Sequence, residues 1–379
     1  MKNKFFILIV LFFSFFVNNL IFAEELNIES TEIQILENGN ILKASKDIKI
    51  KSQDGIEITG NKLIYKKEEQ YLDISGNVNY LDRNKNINIK SEKIIYNKKK
   101  GLLIIRDEVS YFDLKNNINI FAEELNYDEN KEIINSKGVA TGNIKNKYKI
   151  QSSNIFYERN SKKIYSKKLS QIEDKNKNKF TTQGFNFDLN KEILNAKELS
   201  LIDKDTSEYF TKNALVNFKT NEIVGKDLYV NLFNSIFGNK KNEPRLKGNS
   251  FFSNEEETTL QKGVFTSCAK IKDKCPPWQI KAEEIKHNKK KKIIEYKKAW
   301  LEIYDKPVLY FPKFVHPDPT VKRQTGFLYP RYNQSNKLGQ SVQIPYFKVI
   351  SDNKDFTVTP RLFFGNNILI QNEYRQANK

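Results

Sequence analysis

Two carboxylate pairs are the first groups in this sequence that could do chemistry. Glu123 and Glu124 sit in Ala122-Glu-Glu-Leu-Asn-Tyr127, and Glu283 and Glu284 in Ala282-Glu-Glu-Ile-Lys-His287. Two carboxyl groups that face each other across a glycosidic bond can serve as acid and base. The chain also holds two histidines, His287 and His316, and two cysteines, Cys268 and Cys275. His316 has no cluster of carboxylates or thiols at metal-ligand spacing. The cysteines lie close enough in sequence for a short-loop disulfide, which an exported protein could keep oxidised.

The value of these residues depends on the elements that carry them. Aligning the aromatic residue of Ala122–Tyr127 along the chain gives Gly60–Tyr65, Ser91–Tyr96, Ala122–Tyr127, Ser152–Tyr157 and Thr182–Phe187. The aromatic-to-aromatic steps are 31, 31, 30 and 30 residues. Near-constant spacing of this kind marks a repeat architecture. Two degenerate copies follow, Gly225–Val230 and Ala282–His287.

Within each copy the apolar residues alternate, as in Ile87 and Ile89, which is the period of a strand. After the small residue the parity flips, as in Ile94 and Tyr96. A strand can change its buried face only through an irregularity. A bend at Gly60, Ser91, Ala122 or Ser152 would turn the strand through a corner and keep its apolar side inward. Polar turns and a return strand complete each unit, for example Leu103, Ile105, Val109 and Tyr111. No long stretch has helical periodicity. The expected fold is all-β, with bent antiparallel strands stacked into a V-shaped tube.

On such strands Glu123 and Glu124 point to opposite faces. They cannot form a facing acid–base pair, and neither can Glu283 and Glu284. His287 occupies the aromatic position of the repeat and reads as a core residue; His316 reads as structural. From pattern alone the apolar stripe is first a closed core and second an open groove.

Composition adds less. The chain of 379 residues carries 64 Lys and Arg against 46 Asp and Glu, a formal charge of +18. The lysines are scattered through turn-like stretches, so no nucleic-acid partner is expected. Residues 1–23 read as a signal peptide, with Lys2 and Lys4 before an apolar run from Phe5 to Val17 and a small residue at Ala23. The chain is therefore expected to be exported.

From Pro307 the pattern changes. Pro307, Pro312, Pro317 and Pro319 crowd one short segment, which reads as a stiff connection over residues 307–325. Beyond Gly326 come short, aromatic-rich alternating segments of the sort that form transmembrane strands. Only 53 residues follow Gly326, room for three or four such strands. A membrane barrel needs at least about 8, so the barrel is expected to be incomplete.

Trp278–Ala282, Pro307–Pro312, His316–Arg323, Thr325–Pro330, Pro345–Phe347 and Asp355–Pro360 carry a family resemblance. The chain resembles the lipopolysaccharide-assembly outer-membrane proteins of the LptD (OstA/Imp) family, and the repeat resembles their OstA-type domain. The resemblance implies a periplasmic β-jellyroll over residues 24–306, a junction over 307–325 and the first barrel strands over 326–379. It implies passage of lipid A acyl chains through the jellyroll, with lipopolysaccharide, a periplasmic bridge protein (LptA-like), an outer-membrane lipoprotein plug (LptE-like) and the outer membrane as partners. It implies no cofactor, no metal and no catalysis. It turns the apolar stripe into a groove, lined by Ile58, Leu63, Tyr65, Ile89, Ile94, Tyr96, Ile120, Leu125, Tyr127, Ile150, Ile155, Tyr157, Phe185 and Phe187.

Two departures stand out. Most of the family's barrel is missing, and no cysteines lie near the mature N-terminus, where some members place theirs. A separate bridge component (LptA/LptC-like) is the first alternative. A carbohydrate-active β-solenoid is the second, and it lacks convergent carboxylates.

Overall fold

Alternating side chains and polar turns produce strands throughout. The computed structural model describes residues 26–202, 208–232, 243–270, 276–317, 321 and 323–378. The expected signal peptide lies outside them. The chain divides into two compact units, residues 1–202 and 203–379. The division follows the last regular copy: the next aligned position, Val230, comes 43 residues after Phe187 instead of 30 or 31.

The first unit starts with β1 (Asn27–Glu29) and β2 (Glu32–Leu36), which pair with the two halves of β3 (Ile41–Lys51). An antiparallel meander follows: β4 (Ile56–Lys66), β5 (Tyr71–Asp82), β6 (Ile87–Asn97), β7 (Leu102–Asp113), β8 (Ile118–Asp128) and β9 (Ile133–Ile144). The next three strands are broken at the corner into β10 (Tyr148–Ser153) and β11 (Phe156–Glu158), β12 (Lys163–Ser166) and β13 (Ser170–Glu173), and β14 (Lys179–Thr182) and β15 (Gly184–Asp188). Then β16 (Ile193–Ile202) pairs with both β14 and β15.

Every ladder from β3 to β9 slips near its midpoint, for instance between Thr59 and Lys62 and between Lys90 and Lys93. The burial parity flips there, as expected: Ile87, Ile89 and Ser91 face inward on one side of the slip, Ile94 and Tyr96 on the other. Each strand thus has two legs, and the legs face one another. Tyr80 on one leg of β5 meets Tyr96 on the opposite leg of β6 edge-on, with ring centroids 6.4 Å apart. Each large side chain buried between the legs contributes about 1.5–3 kcal/mol.

The second unit has an antiparallel meander of its own: β17 (Glu208–Asn217), β18 (Glu222–Asn231), β19 (Arg245–Ser253), β20 (Glu257–Thr266), β21 (Trp278–Asn288), β22 (Ile293–Ile303) and β23 (Lys306–Pro317). Its core includes Leu228, Val230, Phe265, Ile285 and Tyr296. A separate sheet comprises β24 (Gly326–Phe327), β25 (Arg331–Ser335), β26 (Gly339–Gln343), β27 (Tyr346–Ser351), β28 (Lys354–Phe363) and β29 (Ile368–Gln376). Across β28 and β29 the faces differ in chemistry. Phe356–Tyr374, Val358–Asn372, Pro360–Ile370 and Leu362–Ile368 pair on the mostly apolar side, and Asp355–Arg375, Thr357–Glu373, Thr359–Gln371 and Arg361–Leu369 on the mostly polar side.

The proline-rich segment corrects an expectation. Residues 306–317 are a strand, not a connection, and among the described pairings β23 joins β22 alone. An edge strand tolerates missing donors. Pro307 also sits at the register shift beside Glu302, and Pro312 lies opposite Lys298, whose φ is 49°. Pro319 lies outside the described residues.

Candidate functional site

The corners show why small residues stand where they do. A Cβ built on Gly60 would lie 2.7 Å from Cγ1 of Ile74 on the return strand. The inside of the bend has no room for a side chain there. The return strands bend differently, through consecutive residues in the left-handed region: Lys46-Asp47, Gly76-Asn77 and Asp107-Glu108. Those pairs recur at the repeat spacing of 30 and 31 residues. This periodic signal escaped the sequence reading.

The corner carboxylates are held in ion pairs. Glu124 is bridged by Arg106 and Lys137, Glu284 by Lys297 and Glu283 by Lys298. His316 donates to or accepts from the Tyr296 hydroxyl at 2.8 Å and stacks on that ring. Cys268 is half-buried with Sγ 3.8 Å from the Trp278 carbonyl oxygen. Cys275 lies outside the described residues, and with it the expected disulfide.

The apolar stripe forms the interior of the first unit. Ile58, Leu63, Ile89, Ile94, Tyr96, Ile120, Leu125, Tyr127, Ile150, Ile155, Tyr157, Phe185 and Phe187 are all buried between the legs, and Tyr65 is half-buried. Leu63, Ile94 and Leu125 are 2%, 0% and 0% exposed. The interior is filled by its own side chains. A small pocket with room for about one water molecule opens near its N-terminal end, lined by Ile50, Ile56, Ile58, Leu72 and Tyr96, with Lys98 beside it.

Opposite the corners the legs end in two rows of turns. Backbone hydrogen bonds run along each row: Lys98 N–H donates to Gln70, Glu129 to Gly101 and Arg159 to Glu132 on one rim, and Arg83 to Gly55, Leu114 to Asn86 and Lys145 to Asn117 on the other. Between the rims, side chains make the connections. Lys98 approaches Asp54 at 3.6 Å, Lys85 meets Glu132 at 2.9 Å and Lys147 meets Glu192 at 3.4 Å. The Tyr80 and Tyr96 hydroxyls donate to the two oxygens of Glu129 at 2.9 and 2.8 Å. Lys145 donates to the Leu189 carbonyl at 3.2 Å, and the Tyr148 hydroxyl to Glu192 at 3.0 Å.

Arg159 is the centre of this seam. Its Nε donates to Asp113 Oδ2 at 2.8 Å, and one terminal nitrogen donates to the Lys85 carbonyl at 2.9 Å. The other terminal nitrogen donates to Glu132. Asp113 also accepts from the Tyr157 hydroxyl at 2.9 Å and from Asn116. Its side chain is 0% exposed and that of Arg159 only 9%. Burial, the largest influence, opposes ionisation of Asp113, but the donors from Arg159 and Asn116 together hold its carboxyl below the ordinary range. Glu132 is treated alike: burial raises it, and Lys85 and Arg159 outweigh that and lower it. Burial, chiefly, and then Glu129 push the Tyr96 hydroxyl well above the usual phenol value. The seam escaped the sequence reading because its partners stand 27 to 74 positions apart.

Comparison with known proteins bears on this geometry. No protein-family model matches the chain. The LPS-assembly protein LptD of Idiomarina loihiensis is 33% identical over 144 residues, 38% of this chain and 18% of that protein. This stretch is homologous to LptD. The LptD proteins of Nitrosomonas eutropha and Pseudoalteromonas translucida match at 28% over 173 residues and 34% over 121 residues. The matches span 23% and 16% of those two LptD chains, so this chain covers less than a quarter of each relative's length. The solved structure of LptH from Pseudomonas aeruginosa aligns with 30% of this chain and 82% of its own at 13% identity, with a TM-score of 0.28, too distant to bear on the argument.

Proposed function

We propose that this chain takes part in lipopolysaccharide transport and assembly at the outer membrane, with the first unit carrying acyl chains along its interior. The carrying observation is a continuous buried apolar stripe, repeated at 30–31 residues, in a chain homologous to LptD. The fourteen stripe residues from Ile58 to Phe187 are the lipid-facing positions. Residues 24–306 stand in the periplasm and residues 326–379 begin a membrane barrel. The apolar and polar faces of β28 and β29 suit a wall with lipid on one side. The partners are lipopolysaccharide, an LptA-like bridge protein and an LptE-like lipoprotein; the work is transport without catalysis. A photo-crosslinking residue at Leu125 or Tyr127 tests this in cells. Crosslinks to lipopolysaccharide at those positions, with none at the outward Ile64, are expected; equal labelling at all three would overturn the reading.

A further inference from the structure

The hairpin β22–β23, in the second unit, carries two exposed features that the core of that unit does not use. Around the turn Tyr304-Asp305, the side chains of Trp300, Ile303, Tyr304, Val308 and Tyr310 are all exposed, Tyr304 at 71%. The Trp300 and Tyr310 rings pair across the two strands with centroids 4.9 Å apart. Large apolar side chains gathered at one tip mark a contact surface. Tyr and Trp join an apolar body to a polar edge, which suits the headgroup level of a bilayer. At the other end of β22 the turn from β21 reads Lys289-Lys290-Lys291-Lys292, and all four are exposed. Lys289 donates to Ser253 and to the Asn254 carbonyl. Among the described residues no carboxylate pairs with Lys290, Lys291 or Lys292. The fold brings the tip and the lysine turn to the same side. Phe265, aligned with Leu301 through Ile280, has its ring 6.0 Å from that of His316, the partner of Ile294. The two halves of the hairpin therefore face one another, with the aromatic tip on one rim and the lysines on the other. β23 ends at Pro317, opposite Ile293 and so beside the lysine turn. Only eight residues separate Pro317 from Gly326, a reach of about 30 Å at most. A surface entered by the sheet β24–β29 is thus within reach of both rims.

We propose that the end of β22–β23 is a peripheral docking surface for an anionic bilayer: Trp300, Tyr304 and Tyr310 settle at headgroup level while Lys290, Lys291 and Lys292 lie against the negatively charged plane. The proposal rests on the reading of residues 326–379 as membrane strands and adds a second contact, made by the meander itself. An acidic protein would answer the lysines alone, and an apolar protein groove the tip alone. A bilayer surface offers both in one plane, negative charge outermost and apolar depth beneath it. Two contacts on opposite rims also fix the tilt of the hairpin on the membrane, which one contact cannot do.

The chain has two tryptophans, so Trp278→Phe leaves Trp300 as the sole indole reporter. The full chain carrying that substitution is reconstituted into vesicles of phosphatidylcholine and phosphatidylglycerol, part of the lipid brominated on its acyl chains as a quencher. Trp300 fluorescence should be quenched. Lys290→Gln, Lys291→Gln and Lys292→Gln alter an exposed turn and leave the packing alone; each should weaken docking about fivefold and relieve the quenching. Leaving out phosphatidylglycerol should do the same. Chain that floats with the vesicles while Trp300 stays unquenched overturns the docking surface and leaves the membrane strands standing. So does quenching indifferent to both the lysines and phosphatidylglycerol. Chain that does not float with the vesicles overturns both readings. A blue shift of Trp300 on raising the protein concentration without vesicles would assign the patch to a second copy of the chain and also overturn the proposal.

Discussion

Asp113→Asn probes the seam most directly. The substitution keeps size and shape, removes one charge, and turns an amide group toward donors that expect an oxygen. Breaking a buried ion pair by altering one partner costs about 3–5 kcal/mol. Arg159 keeps Glu132 and the Lys85 carbonyl, which reduces the loss to about 2–4 kcal/mol by comparison with other charged hydrogen bonds. With a urea dependence of about 1–3 kcal/mol per molar, the midpoint of unfolding of the full chain should fall by about 1 M or more. Hydrogen exchange should speed up first in the turns around Asn116 and Asn160, where the two rims meet. Arg159→Met added to Asp113→Asn should cost further stability, because Glu132 and the Lys85 carbonyl then lose their donor. A midpoint shift below about 0.2 M for the single variant would refute the view that these side chains hold the legs together.

Other expectations follow from the same geometry. Gly60→Val should destabilise by about 1–3 kcal/mol through collision with Ile74, measured by chemical denaturation. Acid should loosen the first unit: the folded carboxyls of Asp113 and Glu132 titrate below their unfolded values, so their contribution is whole above about pH 4–4.5 and is lost as pH falls through the depressed folded values. Circular dichroism against pH, with Asp113→Asn flattening the acid limb, checks that sign. Leu125→Asp or Tyr127→Asp should abolish lipid crosslinking from neighbouring interior positions, whereas Ile64→Asp, at a residue 41% exposed, should leave it unchanged.

Much of the fold was legible because it is local. The parity change between Ile89 and Ile94 forces an irregularity within five positions, and the close approach at Gly60 needs only its own strand and the next. What the sequence hid is of two kinds. The left-handed pairs, such as Asp107-Glu108, use ordinary polar residues whose backbone state no single position declares. The seam joins Asp113 to Arg159 and Tyr80 to Glu129 across several strands, and only the folded V brings them together. The prolines misled for a different reason. A missing donor rules out an inner strand but not an outermost one, and β23 is outermost among the described pairings of its sheet.

The hairpin repeat has a further meaning for how such a protein can vary. Each copy of 30 or 31 residues adds two strands, and hence roughly 10 Å, to both walls at once. Its strands pair only with those of the copies before and after it. Duplication or loss of one copy would therefore change the reach of the tube in whole increments while leaving its cross-section as it was. Length is thus a freely adjustable trait of this architecture, and width is the constrained one.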